Sequence, residues 1–339
     1  MNEMRNRFKD KYPEKYFVDQ DDLGSMTEYL ISRKFLNDDE HIVSAEVPGA
    51  GNMNYVLRVK TNVRSFILKQ SRPWVEKYPS IDAPVQRIEI EAKYYDHVKT
   101  SWKMENHSPK IYDFDLDNYI LLMEDLGEVK DFTSLYESGD VIGDEDIITL
   151  ANYLHVLHSV KANGFPDNME MRKLNHTHIF NFPFDSNNGF DLDTIHDGLG
   201  SLTVNELTDP KLVEVIRNIG DLYLGNDGGN LLHGDFYPGS WMKSHKLFVL
   251  DAEFGFVGPA EFDLGIFIAH MKMSFQTQDK VSLFLHHYDQ HNKTDLELAG
   301  RFAGIEILRR LLGVAQLPLQ LTIEQKAELI AEARAWIMS

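Results

Sequence analysis

Apolar and polar residues alternate over several short stretches in the first third of the chain, with the period expected for half-buried β-strands. Turn-forming residues separate the first three of these stretches, among them the glycine-rich run 48–52 and the pair Thr61-Asn62. The pattern therefore predicts a small antiparallel sheet. Its expected strands cover residues 41–47, 53–60, 65–70 and 119–123.

Other segments repeat their apolar residues every three or four positions, which is typical of amphipathic helices. The two kinds of pattern together predict an α+β fold. A small sheet-rich lobe, residues 1–126, is expected to precede a larger and mainly helical lobe, residues 127–339, with a hinge near Gly127. Helices are predicted over residues 27–36, 84–99 and 144–160, and one short strand is expected in the second lobe, over residues 247–250.

The composition narrows the classes of function. A length of 339 residues exceeds the usual size of a single core, which agrees with two lobes. The formal net charge of -19 argues against nucleic acid as a partner, because phosphate backbones need a positive footprint. The absence of cysteine removes disulfides, thiolate nucleophiles and zinc-thiolate sites. Because no secretory leader and no run of about 18 apolar residues is visible, we expect a cytoplasmic protein without a membrane partner.

A glycine-rich turn, Gly49-Ala50-Gly51-Asn52, joins the first two predicted strands. Small residues let backbone amides approach phosphate oxygens, so Gly49, Gly51 and Asn52 are candidates for holding a nucleotide. A plain hairpin turn has the same composition. The turn by itself does not separate these two interpretations.

A lysine and a glutamate follow this turn in the order that a nucleotide site needs. Lys69 lies in an otherwise apolar predicted strand, where it either points to solvent or reaches a phosphate. Glu89 and Glu91 lie on the next predicted helix. We expect Glu91 to pair with Lys69, although an exposed helix glutamate is the ordinary alternative for both.

Carboxylates stand at two informative places in the second lobe. Asp235 follows an apolar run and a glycine, and Ser240 comes shortly after it. An aspartate at such a position suits a catalytic base, although it is also ordinary turn chemistry. Asp251 and Glu253 follow the predicted strand 247–250, and carboxylates at a strand end suit a hard ion such as Mg²⁺.

The order of these features is more informative than any one of them. A glycine turn, a strand lysine, a helix glutamate, a hinge strand, an aspartate loop and strand-end carboxylates follow one another as they do in kinases. The sequence therefore predicts a two-lobed protein-kinase-like fold that binds ATP and Mg²⁺ and phosphorylates a small molecule bearing a hydroxyl group.

The motifs also resemble a known family. His233-Gly234-Asp235 and Asp251-Ala252-Glu253 are similar to the catalytic and metal motifs of the aminoglycoside phosphotransferase and choline kinase superfamily. More narrowly, the chain resembles the methylthioribose kinases, enzymes of methionine salvage, over roughly residues 40–333. The similar segments are 51–56, 67–70, 87–92, 123–126, 251–259 and 262–265, together with the pair Arg309-Arg310.

This resemblance implies a role for each candidate residue. Asp235 is expected to be the base toward the acceptor hydroxyl, and the acceptor is expected to be 5-methylthioribose. The resemblance is also compatible with a homodimer. The expected nucleotide ligands are Gly49, Gly51, Asn52, Asn54, Lys69, Glu91, Glu124 and Leu126; those of Mg²⁺ are Asp251, Glu253 and Ser240; and those of the acceptor are Arg309, Arg310 and His233.

Two departures from the family pattern leave the acceptor open. The residues after Asp235 are Phe236-Tyr237-Pro238 where the family has others, and the segment before Arg309 is short. An aminoglycoside, another sugar or an amino alcohol is an alternative acceptor, and a nucleotide-binding pseudokinase is an alternative without catalysis. The acidic net charge favours a cationic acceptor in general, but the charges need not lie at the site.

Overall fold

The chain forms two compact units in the computed structural model. The first unit comprises residues 1–99 and 108–128, and the second comprises residues 100–107 and 129–339. The division falls near the hinge expected at Gly127, and the short segment 100–107 belongs to the second unit. The residues that the structure describes are 2–49, 53–137, 139–204, 208–225, 229–289 and 294–339.

The predicted antiparallel sheet forms the centre of the first unit, with five strands, of which Ile111–Asp115 was not predicted. Its strands are β1 (Ile42–Glu46), β2 (Tyr55–Thr61), β3 (Ser65–Gln70), β4 (Ile111–Asp115) and β5 (Ile120–Glu124). Their order across the sheet is β1-β2-β3-β5-β4, with every neighbouring pair antiparallel. Leu57 on β2 and Leu68 on β3 are directly paired and fully buried, as the period of two requires of residues on one face.

Three helices complete the first unit: α1 (Asn2–Lys11), α2 (Leu23–Ser32) and α3 (Arg87–Val98). Helix α2 begins earlier than predicted because the Asp22 carboxylate accepts a hydrogen bond from the Ser25 amide and caps the helix. Met26 and Leu30 of α2 share a core cluster with residues of the sheet. Helix α3 contacts β4 and β5. The sheet therefore has helical support that fixes the strand carrying Lys69.

The second unit is mainly helical, as predicted. Helix α9 (Glu261–Met273) packs along α11 (Leu296–Leu312), and α11 packs along α12 (Ile323–Met338). The α9–α11 contact is close at Gly265, where an added Cβ would lie 2.5 Å from the Cβ of Phe302. The helices are α4 (Trp102–Glu105), α5 (Asp144–Leu157), α6 (Met169–His176), α7 (Leu199–Leu202), α8 (Pro210–Leu224), α9 (Glu261–Met273), α10 (Gln278–Tyr288), α11 (Leu296–Leu312) and α12 (Ile323–Met338).

The strand predicted over residues 247–250 is confirmed, with bounds Leu247–Val249, but the prediction that it is the one strand of the second lobe is wrong. Among the described residues this lobe has five short strands, numbered β6 to β10 in chain order, which form a three-stranded sheet of order β6-β8-β9 and a two-stranded pair of β10 with β7. Each spans two or three residues, which is too short for an alternating pattern to be visible in the sequence. They are β6 (Lys130–Asp131), β7 (Asn230–Leu232), β8 (Trp241–Lys243), β9 (Leu247–Val249) and β10 (Phe256–Gly258).

The predicted α+β class is confirmed by this arrangement, with the larger sheet in the first unit and most helices in the second. The bounds of β3 coincide with the predicted strand 65–70. Across the residues that the structure describes, no helix combines the length and the apolar character needed to cross a membrane.

Candidate active site

A buried ion pair joins strand β3 to helix α3 in the first unit. The Lys69 Nζ atom lies 2.7 Å from Glu91 Oε1, and both side chains are almost fully buried. Strand β3 is hydrogen-bonded to a neighbour on each side, so the backbone at Lys69 is fixed. The partner is Glu91 and not Glu89, in agreement with the choice made from the sequence. The carboxylate therefore directs an ammonium group that would otherwise be flexible.

Helix α3 also anchors the chain that follows the glycine-rich turn. Arg87 is fully buried, and its Nε donates to Asn54 Oδ1 at 2.9 Å while its Nη2 donates to the Met53 carbonyl at 2.9 Å. The Asn54 side-chain oxygen, expected to face a nucleotide, is thus engaged inside the protein. We assign to Asn54 the role of holding the end of the turn, and Arg87 is a residue that the sequence left without a role.

Of the remaining candidate residues of the turn, the structure describes only Gly49. Gly49 is exposed, and an added Cβ there would meet no atom of the described residues within 4 Å. Gly51 and Asn52 lie outside the residues that the structure describes, so their expected contacts with phosphate stay predictions.

The segment that follows β5 is held to the sheet by an arginine. Arg58 on β2 donates from Nε to the two Asp125 carboxylate oxygens at 3.0 and 3.1 Å and from Nη2 to the Gly127 carbonyl at 2.5 Å. Gly127 has a φ of +83°, which residues with a Cβ rarely adopt. Glu124 and Leu126, the two expected adenine neighbours, flank Asp125 and are therefore positioned by the same contacts.

In the second unit, Asp235 lies on a tight loop directly after β7. Gly234 has a φ of +82°, and an added Cβ would lie 2.3 Å from the Phe254 carbonyl oxygen, so glycine is required there. The Asp263 carboxylate on α9 accepts hydrogen bonds from the amides of His233 at 2.7 Å and Gly234 at 2.9 Å. These contacts hold the loop that carries Asp235 in one conformation.

A histidine and a tyrosine support Asp263 in turn. His158 Nε2 lies 3.1 Å from Asp263 Oδ2, and His158 Nδ1 lies 2.7 Å from the Tyr288 hydroxyl. A neutral imidazole satisfies both contacts when Nε2 donates to the carboxylate and Nδ1 accepts from the hydroxyl. The catalytic-loop support thus extends from α9 to α5 and α10.

His233, which the sequence analysis assigned to the acceptor, needs a correction. Its side chain is fully buried, its Nε2 donates to the Leu250 carbonyl at 2.8 Å, and its Nδ1 accepts from the Asp235 amide at 3.4 Å. Both ring nitrogens are therefore used inside the protein. The geometry makes His233 a link between the loop before Asp235 and the strand before Asp251.

Asp251 follows β9 in a left-handed backbone conformation, with a φ of +64°. Leu250, just before it, is held on two sides, because its amide donates to the Ser240 carbonyl at 2.9 Å and its carbonyl accepts from His233. Such backbone conformations are retained where the surroundings impose them and are common at functional sites. Strand β10 then pairs with β7, so the chain after Asp251 returns beside the strand that leads to Asp235.

The oxygen donors near Asp251 suit Mg²⁺ held jointly with a nucleotide. Asp251 is partly exposed and Glu253 lies in the turn Ala252–Phe254. Mg²⁺ commonly takes one or two carboxylates and completes its shell with water and phosphate oxygens. Ser240 donates its hydroxyl to the Asp235 carbonyl at 2.8 Å, which leaves lone pairs on its oxygen. Among the described residues, no group of three or more His, Cys, Asp or Glu side chains could hold a metal alone.

Two arginines at the end of α11 lie close to Asp235. Arg310 Nη2 is 3.7 Å from Asp235 Oδ1, and Arg310 Nε donates to Glu306 Oε1 at 2.6 Å. Arg309 Nη1 donates to Glu306 Oε2 at 2.8 Å. Glu306 and the donors around its carboxylate, which are Arg309, Arg310 and His270, are called the Glu306 cluster below.

Burial and the charges of this cluster shift the pKa values of Asp235 and Glu306. Burial raises the pKa of Asp235 to about 6, while Arg310 and Arg309 act to lower it. Burial would also raise the pKa of Glu306, but the two guanidinium groups hold it well below its usual range. Glu306 is therefore charged, and Asp235 is a stronger base than an exposed aspartate, as suits a group that accepts a proton.

The residues that depart from the family pattern after Asp235 have structural roles. Phe236 is fully buried, with its ring centroid 5.3 Å from that of Trp241. The Tyr237 ring lies 5.2 Å from the Arg310 guanidinium and 5.2 Å from the His270 ring. Phe236 thus belongs to the core, and Tyr237 packs against the Glu306 cluster.

Sequence reasoning missed three residues here. His270 Nε2 lies 3.2 Å from Glu306 Oε1, and His270 Nδ1 lies 2.5 Å from the Tyr136 hydroxyl. A signal was available for Glu306, which precedes Arg309 and Arg310 by three and four residues on one helix, the spacing at which side chains meet. His270 is a polar residue in an otherwise apolar part of α9, whereas nothing in the sequence marks Tyr136.

His178 is a further polar side chain beside the arginines. It lies in a π-helical turn, Thr177–Asn181, and its buried Nδ1 has no hydrogen-bond partner among the described residues. Burial lowers the pKa of His178, and Arg309 lowers it further. The imidazole is therefore neutral near pH 7, and its ring nitrogen is able to bond a ligand.

Comparisons with known proteins agree with this geometry. The model of the phosphotransferase enzyme family matches residues 44–297, more than half of the chain. The methylthioribose kinase of Citrobacter koseri is 27% identical over 273 residues, which cover 73% of this chain and 64% of that protein. The methylthioribose kinase of Bacillus cereus strain G9842 is 26% identical over 271 residues, which cover 73% of this chain and 65% of that protein. The matched part spans just under two thirds of these relatives.

Solved structures show the same fold. A choline kinase from Streptococcus pneumoniae is similar with a TM-score of 0.51 at 16% identity, covering 93% of this chain and 98% of that one. An ethanolamine kinase from Plasmodium vivax gives a TM-score of 0.55 at 14% identity, and the match covers 97% of this chain and 91% of that one. A spectinomycin phosphotransferase in complex with ADP and spectinomycin gives a TM-score of 0.54 at 11% identity, and the match covers 93% of this chain and 97% of that one. The predicted kinase-like fold is thereby confirmed.

Proposed function

This chain belongs to the phosphotransferase enzyme family, and from that premise we propose that it is an ATP-dependent kinase that phosphorylates a hydroxyl group of a small molecule. The observation that carries the proposal is the position of Asp235. Its loop is held by the Asp263 carboxylate, and its own carboxylate lies 3.7 Å from Arg310. A fixed, basic carboxylate beside a cation supports a role as the base in phosphoryl transfer.

On the nucleotide side, we assign the phosphate contacts to Lys69 and to the backbone of the turn from Gly49 to Asn54. The Glu91 carboxylate directs the Lys69 ammonium group. Arg87 keeps the end of the turn in place through its bonds to Met53 and Asn54. The adenine is assigned to the segment from Glu124 to Leu126, which Arg58 holds through Asp125.

On the metal side, Asp251 and Glu253 are proposed to hold Mg²⁺, with Ser240 as a weaker oxygen ligand. When bound, Mg²⁺ neutralises negative charge on the phosphate oxygens. The residues contribute by orientation, because His233 and Ser240 fix the backbone just before Asp251. This support explains why the strained backbone at Asp251 is retained.

Asp235 is proposed to orient the acceptor hydroxyl and to take its proton late in the transfer. The acceptor oxygen forms a bond to the γ-phosphorus while the bond from that phosphorus to ADP breaks, and the proton moves to Asp235 and then to solvent. With a pKa of about 6, the carboxylate is mostly ionised at neutral pH and still basic enough to accept this proton.

We propose 5-methylthioribose as the acceptor, which would place the reaction in methionine salvage and in the cytoplasm. The curated relatives described above are methylthioribose kinases. Arg309 also supports a hydroxyl-bearing acceptor, because a guanidinium donates hydrogen bonds to hydroxyl oxygens.

A screen of ATP consumption tests this proposal. The purified protein is given Mg²⁺ and ATP with methylthioribose, other ribosides, choline, ethanolamine and aminoglycosides. We expect methylthioribose to be preferred by at least about tenfold in kcat/KM. Preference for an amine-bearing acceptor would overturn the assigned acceptor but keep the kinase. ATP binding without consumption on any acceptor would instead identify a pseudokinase.

A further inference from the structure

Arg309 and Arg310 are adjacent in sequence, but their guanidinium groups have different surroundings. Each nitrogen of Arg310 is directed at a protein group: Nε donates to Glu306 Oε1 at 2.6 Å, Nη1 donates to the Ala315 carbonyl at 3.2 Å, and Nη2 lies 3.7 Å from Asp235 Oδ1. The Tyr237 ring covers the same guanidinium at 5.2 Å. Arg310 is therefore committed to contacts within the protein.

Arg309 is less committed. Its Nη1 donates to Glu306 Oε2 at 2.8 Å, but its Nε is buried and has no hydrogen-bond partner among the residues that the structure describes. A buried N–H group without a partner is costly, and a ligand that supplies an acceptor removes that cost. Arg309 therefore has an N–H group without a partner among the described residues, whereas Arg310 donates from Nε and Nη1 to protein acceptors and faces Asp235 with Nη2.

The carboxylate that holds both arginines is itself held. Glu306 Oε1 accepts from Arg310 and lies 3.2 Å from His270 Nε2, and the opposite ring nitrogen of His270 lies 2.5 Å from the Tyr136 hydroxyl. Tyr136, His270 and Glu306 are all buried. In buried surroundings such a chain of satisfied hydrogen bonds fixes the position of each member.

We infer that Arg310 is a positioning residue for the Asp235 carboxylate and that the chain Tyr136–His270–Glu306 holds Arg310, which leaves Arg309 for the acceptor contact expected of the pair. The inference rests on the proposed function, since it takes Asp235 as the base. At 3.7 Å the Arg310 contact is too long for a hydrogen bond, so the ion pair orients the carboxylate without occupying the lone pair that accepts the proton.

Steady-state kinetics of Arg310→Gln and Arg309→Gln test this division. Methylthioribose is the probe, or else the acceptor with the highest turnover in the screen. Arg310→Gln is expected to lower kcat about 10²-fold with the acceptor KM within about threefold, and Arg309→Gln to raise the acceptor KM at least about tenfold with kcat within about threefold. Arg301→Gln is the matched control, because Arg301 lies on the same helix and pairs with Glu297; it should leave both parameters unchanged.

Two further variants separate positioning from general damage. Arg310→Lys keeps the charge but cannot reach Glu306 and Asp235 together, so kcat should recover only in part. Glu306→Gln releases both arginines, so kcat should fall and the acceptor KM should rise together. If Arg310→Gln raises the acceptor KM and leaves kcat unchanged, Arg310 binds the acceptor and the inference is wrong.

A measurement without catalysis distinguishes this inference from the proposed function. Thermal unfolding of Asp235→Asn, Arg310→Gln and the double variant forms a cycle, with Arg309→Gln in a parallel cycle. We expect the shifts in Tm to be clearly non-additive for Asp235 with Arg310 and closer to additive for Asp235 with Arg309. Additive shifts for Asp235 with Arg310 would overturn the inference. If no acceptor is phosphorylated, the proposed function fails, and these cycles still decide the pairing.

Discussion

Two buried charge sites, one in each unit, serve the proposed reaction in different ways. In the first unit, Lys69 and Glu91 form an ion pair at 2.7 Å that connects a strand to a helix. In the second unit, the Glu306 carboxylate accepts hydrogen bonds from both Arg309 and Arg310 and contacts His270. One anion is thus matched to one cation in the first site, and one anion is shared between cations in the second.

The difference indicates how each site responds to change. Replacing Glu91 removes the ion pair with Lys69, the residue proposed to contact the nucleotide. Replacing a member of the Glu306 cluster alters the charge around Asp235 as well as the orientation of Arg309 and Arg310. Variants of the first site should therefore change the KM for ATP, while variants of the second should change kcat or the acceptor KM according to the residue, and Glu306→Gln should change both.

The largest expected effect is that of Asp235→Asn. The substitution keeps the shape of the side chain but removes the base, so kcat should fall by about 10²- to 10⁴-fold while the Kd for ATP changes little. Asp221→Asn, at an exposed position of α8, is the matched control and should have normal kcat. Near-normal turnover of Asp235→Asn would show that Asp235 is not the base and that the second site does not carry the catalytic step.

The next effect concerns pH and the stability of the Glu306 cluster. Burial lowers the pKa of His270 to about 4, so the folded protein keeps this imidazole neutral at pH values where the unfolded chain protonates it. Stability from this source is complete above about pH 6.5 and is lost as the pH falls toward 4. Between pH 7 and pH 5 the loss should be about 2 kcal/mol in the free energy of unfolding.

Chemical denaturation at the two pH values measures this loss. His270→Gln can retain hydrogen bonds to Tyr136 and Glu306 but cannot titrate, so its unfolding free energy should depend less on pH than that of the wild type. His286→Gln, at an exposed position of α10, is the control and should behave as wild type. Equal pH dependence of wild type and His270→Gln would show that the cluster is not buried as described.

A smaller effect is expected for the metal residues. Asp251→Asn removes a charged oxygen ligand, so the Mg²⁺ concentration for half-maximal activity should rise by at least about tenfold. Titration of activity with Mg²⁺ at fixed ATP measures this change. Asp197→Asn, in an exposed turn, is the matched control and should keep the wild-type Mg²⁺ dependence. Wild-type Mg²⁺ dependence in Asp251→Asn would show that the metal site is elsewhere.

The smallest effect is expected at the first site. Glu91→Gln leaves Lys69 without its charged partner, so the KM for ATP should rise by about three- to tenfold while the acceptor KM stays constant. Glu89→Gln on the same helix is the matched control and should leave the KM for ATP unchanged. A change in the acceptor KM of Glu91→Gln would contradict the separation of the two sites.

Local patterns were sufficient for the first site. A lysine in an apolar strand and a glutamate on the next helix are each visible within a short window of sequence, and together they predict the pair that the structure contains. The order of motifs likewise placed Asp235 and Asp251 in one unit. These features could be predicted because each depends on neighbours along the chain.

The second site depends on distant residues and could be predicted only in part. Tyr136 and His270 are 134 positions apart, and no periodic pattern connects them. The same reason explains the error at His233, whose ring donates a hydrogen bond to the carbonyl of Leu250, just after β9, and not to an acceptor molecule. Tertiary packing decides whether such a polar side chain faces a ligand or the protein, and the local spacing of residues in the sequence does not predict that packing.

Mass spectrometry of the reaction products tests the central claim most directly. The protein is incubated with ATP, Mg²⁺ and the acceptor panel, and phosphorylated acceptor and ADP are quantified together. The account predicts phosphorylated methylthioribose in a one-to-one ratio with ADP from the wild type and from Asp221→Asn, and no product above background from Asp235→Asn. Absence of any phosphorylated acceptor from a wild-type protein that binds ATP would contradict the claim that this chain is a small-molecule kinase.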